Sequence, residues 1–201
     1  MSARDDVLAR VRAAIAPSGR AAAAIPREYR THSGEGLETF IERLHHYEAR
    51  TRRVAEGELD AGVRAALQER GVARAVAPDG IPEAWLQGVE PLRDTSPLDP
   101  HTLDGSDGVI TTCAIAIAET GTLVLDGSAG MGRRILSLVP DYHLCVVRAE
   151  QIVGSVPEAI TRLDPVQPLT FISGPSATVD IELVRVGGVH GPRRLEVIIA
   201  E

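Results

Sequence analysis

Glu119 closes one apolar run, and a second run, a glycine-rich stretch and two arginines come after it in AETGTLVLDGSAGMGRR, residues 118–134. A carboxyl group at a strand end, partly stripped of water, has a raised pKa and suits acid–base or nucleophilic work. Its alternative is an acid that marks the turn at Thr120 and Gly121. The loop from Gly127 through Ser128, Gly130 and Gly132 into Arg133 combines pliant backbone with positive charge, a pairing able to wrap an anion. It is equally a glycine turn with solvated arginines. It is no P-loop, because Arg133 and Arg134 stand where a lysine and a magnesium-binding hydroxyl are required. Nor is it a dinucleotide fingerprint, since Ile135 occupies the third glycine position.

Two further stretches carry polar groups at the end of a predicted strand or the start of one. In ISGPSATVDIE, residues 172–182, Ser173, Gly174 and Pro175 lead into a helix predicted over 176–185, with Ser176 or Thr178 satisfying its free amides. Asp180 and Glu182 just beyond would repel a polyphosphate, which favours a site for a carboxylate, a proton or a cation. Asp180 is also readable as a plain capping acid. In VHGPRR, residues 189–194, His190 and Arg193 precede the last strand, as a base and an anion clamp or as turn residues. His45 and His46 are adjacent, lack the spacing that puts two metal ligands on one helix face, and read as surface.

Composition removes whole classes of chemistry. All 21 basic residues are arginine, so Schiff-base, pyridoxal phosphate and P-loop lysine mechanisms are excluded. A formal net charge of −7 opposes binding to nucleic acid, whose phosphates reward a basic face. The first residues, MSARDDVLARVRAAIA, form an amphipathic helix without the apolar core of a signal peptide, and no run is long enough to span a membrane; a cytoplasmic protein is expected. Cys113 and Cys145, 32 positions apart in apolar runs, read as packed core thiols and make neither a disulfide framework nor a metal knuckle.

Two helices, over 3–16 and near 37–47, form an N-terminal arm (residues 1–50) predicted to stand largely apart from the rest of the chain. From residue 51 short apolar runs alternate with helices. Strands are read at RRVA, ARAVAPDG, GVITTCAIAIA, GTLVLDG, LCVVRAEQIV, PLTFIS and RRLEVIIA. Helices are read at 58–71, 133–139, 156–163 and 176–185. The alternation predicts an α/β fold with a mainly parallel, Rossmann-like sheet covered on both faces, binding its ligand at the carboxyl ends of the strands.

Four ordered blocks, AIAETGTLVL, GMGRRILSLVPDYH, FISGPSATVDIE and GGVHGPRRLEVII, resemble the LUD domain of lactate-utilisation proteins over residues 51–201. The resemblance implies a fold similar to the NagB, ribose-5-phosphate isomerase and CoA-transferase group. It implies a role in oxidising L-lactate to pyruvate beside partner subunits that hold iron–sulfur clusters. Two cysteines are fewer than the four thiolates a cluster needs, so this chain is expected to bind no cofactor alone and no metal. AETG is similar to the Glu-Asn-Gly stretch of CoA-transferases, with Thr120 in place of the asparagine. The expected site therefore has Glu119, Asp180 and His190 as acid–base groups. Thr120, Gly121, Gly130, Gly132, Arg133, Ser173, Gly174, Ser176 and Arg193 would hold a small carboxylate. The alternative is a stand-alone CoA-transferase or isomerase with Glu119 as nucleophile or base.

Overall fold

Runs rich in Val, Ile and Leu without polar alternation suit strands covered on both faces, the pattern of a parallel sheet. The computed structural model describes residues 2–15, 25–179, 185–187 and 191–201. In chain order it contains α1 (Ala3–Ala14), α2 (Leu37–His46), β1 (Arg50–Val54), α3 (Leu59–Glu69), β2 (Arg74–Ala77), β3 (Glu90–Arg93), α4 (Pro100–Asp104) and β4 (Gly108–Thr112). Next come β5 (Ile115–Ile117), β6 (Thr122–Leu125), β7 (Tyr142–Arg148), β8 (Ile152–Val153), α5 (Val156–Arg162), β9 (Thr170–Ile172), β10 (Ala177–Val179), β11 (Arg185–Gly187) and β12 (Arg194–Ala200). Six strands form one sheet in the order β1-β12-β7-β4-β2-β3. Every pairing in it is parallel, as the alternation of strands and helices predicts.

A second sheet, β8-β5-β6-β9, packs over one face of the first. It divides two runs that read as single strands. Residues 108–118 split into β4 and β5, and residues 144–153 into β7 and β8, one half in each sheet. Gln151 clamps both crossings: its Oε1 accepts from the Arg148 amide at 2.7 Å, and its Nε2 donates to the Cys113 carbonyl at 2.6 Å. The predicted helix over 176–185 is replaced by an antiparallel pair, β10 and β11. That over 133–139 shrinks to a 3-10 turn, Arg134–Ser137.

Alternate residues of the central strands feed two cores. Ile110, Leu144 and Ile198 face α3 and the buried Trp85, whose indole N–H donates to Asp60 at 2.8 Å. Cys145, Val147, Val197 and Ile199 face the second sheet and α2, which contributes the fully buried Phe40 and Leu44. Each such side chain removed from water stabilises the fold by roughly 1.5–3 kcal/mol. Cys113 and Cys145 are free, buried thiols, as expected. α1 has no buried residue. Among the described residues no helix is long and apolar enough to cross a membrane.

Candidate functional site

The glycine loop sits at the carboxyl ends of β2 and β4, where the sheet rule places a ligand, but the amides of Ser128, Gly130, Met131 and Gly132 are already bonded. The Gly130 amide donates to the Asp79 carbonyl at 2.6 Å, and its carbonyl accepts from Thr112 at 2.9 Å. The Met131 and Gly132 amides both donate to the Ser128 carbonyl, at 3.0 and 3.1 Å. Gly130 has φ +82°, and a Cβ there would lie 2.5 Å from Thr112 Oγ1, so the close approach requires glycine. Arg133 forks Asp94 through two 2.7 Å bonds, Nε to Oδ2 and Nη2 to Oδ1. That contact holds the Asp94 carboxyl below its usual range. The adjoining recess is lined by Asp79, Asp94 and Arg133, two carboxylates against one guanidinium. Such a balance opposes an anion. Arg193 is likewise engaged, by Asp141.

Glu119 lies just beyond β5 with its amide bonded to the Gly154 carbonyl at 3.1 Å, and its carboxylate pairs with Arg30 at 2.6 Å. Gly121 packs against Arg43 of α2. From Thr120 a line of hydroxyls runs through buried Thr122 to Ser173. Thr120 Oγ1 meets Thr122 Oγ1 at 2.7 Å, and Thr122 Oγ1 meets Ser173 Oγ at 2.7 Å. Gly174 comes next with φ +87°, where any Cβ would collide with Tyr47. The Ser176 amide donates to the Pro192 carbonyl at 2.8 Å. Asp180 and His190 lie outside the described residues.

Ser173, Gly174 and Ser176 line a cavity of about 300 Å³ together with Arg134, His143 and Phe171. It opens at the amino ends of β7 and β12, where His143 and Leu195 are each the second residue of their strand. No carboxylate occurs among its described lining residues. Arg134 also borders the neighbouring recess at Gly132, and its side chain bonds to no described residue. His143 Nε2 lies 2.7 Å from Thr111 Oγ1. His143 is buried but borders the cavity, and its Nδ1 bonds no described residue. Burial pushes the imidazole pKa down to about 4, so the ring is neutral at physiological pH.

The structure thus gathers Thr120 and Ser173 through Thr122, and Ser173, Gly174 and Ser176 around one opening. Glu119, Gly130, Arg133 and Arg193 have their own partners elsewhere. His143, Thr111 and Arg134 form a group that sequence reasoning misses. The available signal is a histidine inside the apolar run YHLCVV, since a polar side chain in a doubly covered strand needs a reason to be there. Among the described residues no three His, Cys, Asp or Glu side chains stand together as a metal site.

A parallel sheet backed by a smaller mixed one, with a cavity between them, defines an α/β domain protein of the kind the four sequence blocks resemble. The family model of the LUD domain matches residues 101–200, which include every residue named above as lining the cavity. Lactate utilization protein C of Deinococcus radiodurans is 49% identical over 170 residues, covering 82% of this chain and 79% of that protein. The chain belongs to the LUD domain family. Lactate utilization protein C of Shouchella clausii is 34% identical over 103 residues, 48% of this chain and 44% of that one. The crystal structure of a DUF162 family protein from Deinococcus radiodurans superposes with a TM-score of 0.70 at 42% identity, covering 82% of this chain and 95% of that chain.

Proposed function

We propose that the chain is a cytoplasmic, cluster-free component of an L-lactate utilisation system. It supports oxidation of L-lactate to pyruvate, and its inter-sheet cavity holds a small carboxylate. The observation that carries this reading is the charge of the cavity: a guanidinium, Arg134, bonded to no described side chain, with no carboxylate among the described lining residues. Arginine grips a carboxylate through two parallel charge-assisted hydrogen bonds. The Ser173 hydroxyl, already anchored to Thr122, offers a further contact. The names of the Deinococcus and Shouchella relatives support the pathway.

Oxidising a 2-hydroxy acid releases two electrons, and two buried thiols supply no cluster to receive them. The acceptors therefore belong to partner subunits with iron–sulfur clusters. The tagged full-length chain, purified from cells grown on L-lactate, is expected to bring down proteins with iron–sulfur absorbance. Recovery of the chain alone, together with unimpaired growth on L-lactate in a strain lacking it, removes the proposal.

A further inference from the structure

The ring of His143 is buried beside the cavity with Nε2 bonded to Thr111 and Nδ1 bonded to no described residue. A buried imidazole kept neutral offers its cavity-side nitrogen in one of two ways. If the Thr111 hydroxyl donates to Nε2, the proton resides on Nδ1 and the cavity meets a donor. If Nε2–H donates to Thr111 Oγ1, the cavity meets the lone pair of Nδ1. Rotation of the threonine hydroxyl accommodates both states, and neither carries charge. Interconversion removes a proton from one ring nitrogen and adds one to the other, so the ring's charge is unchanged.

Resting on the reading of the cavity as a carboxylate site, we propose that the Thr111–His143 pair is its specificity element, reading the uncharged polar group beside the ligand's carboxylate. One tautomer accepts the hydroxyl of a short 2-hydroxy acid. The other donates to the carbonyl of the corresponding 2-oxo acid. With Arg134 as the cationic end, the cavity recognises both redox forms of one carbon skeleton. It discriminates against an acid of the same size without an oxygen on the second carbon, because the polar ring would then be left unpaired.

The test uses the full chain with 15N-labelled histidine and three probes, L-lactate, pyruvate and propionate, monitored by titration and by the ring-nitrogen shifts of His143. L-lactate and pyruvate are expected to bind at least about tenfold more tightly than propionate, the size of one hydrogen bond in a closed site. The Nε2-protonated ring should dominate with L-lactate and the Nδ1-protonated ring with pyruvate. His143→Phe, which keeps a planar ring and removes its nitrogens, should abolish the discrimination against propionate. Arg134→Gln should weaken all three probes together. Equal affinity for propionate, or one tautomer with both ligands, overturns the specificity role while leaving the carboxylate site in place. Binding of none of the three overturns the site and this inference together.

Discussion

Glu196, though charged, is buried in β12, and it persists there because three groups surround it. The Tyr142 hydroxyl lies at 3.2 Å, Arg70 Nε at 3.3 Å and Arg52 Nη2 at 3.6 Å. Burial, with the Glu196 carboxylate beside it, raises the Tyr142 pKa, so the phenol stays protonated and donates. Glu196→Ala leaves that hydroxyl without an acceptor and two half-buried guanidinium groups with less to oppose them. We expect a loss of roughly 2–4 kcal/mol, read as a lower urea midpoint. His143 yields a prediction of opposite character. Between about 4 and the ordinary 6.5, the unfolded imidazole holds a proton that the folded one refuses. Stability therefore rises with pH across that window and falls as acid is added. At about 1.4 kcal/mol per pH unit the full loss is on the order of 3 kcal/mol. Urea unfolding at a series of pH values should show this slope, and His143→Gln should flatten it above pH 5.

At the scale of elements, burial separates α1 from α2. Val7, Leu8 and Val11 on α1 and Ile15 just after it are all exposed, whereas Phe40 and Leu44 on α2 are fully buried. Removing residues 2–15 should shift the urea midpoint by no more than about 0.5 kcal/mol equivalent, while Phe40→Ala should cost about 3–5 kcal/mol. The inner strands β4, β7 and β12 of the central sheet are legible in the sequence as apolar runs, whereas the edge strand β3, Glu90–Arg93, carries no such run and goes unread. What is not legible is where such a run changes sheets. Nothing in VITTCAIAIA marks Cys113 as the crossing, because the partner that clamps it, Gln151, lies 38 residues away. The helix expected over 176–185 fails for a different reason. Pro175 and Ser176 suit a helix start, yet Val179, Ile181 and Leu183 alternate with Asp180 and Glu182 at a period of two, the pattern of a strand. The described parts of this stretch, Ala177–Val179 and Arg185–Gly187, pair as antiparallel strands.

The whole molecule relates the expected site to the observed one. The carboxyl-end rule points to the glycine loop and to residues 172–182; at the glycine loop four amides are already bonded and Arg133 is coupled to Asp94. Arg134 and His143 border the cavity at the amino end of β7, between β7 and β12 of the first sheet and β9 of the second. Ser173, Gly174 and Ser176 are legible as loop residues with chemistry to offer. His143 is not, since its value depends on Thr111 in a neighbouring strand, a contact set by parallel pairing across 32 positions of sequence. The sheet order has a consequence for biosynthesis. β12 fits between β1 and β7, so a nascent chain lacking residues 194–200 holds two bare strand edges facing an empty slot. Polypeptide stalled before Arg194 should be recovered in the aggregated fraction of a lysate and captured by chaperones, and the same fragment found monomeric in solution would contradict that order of assembly.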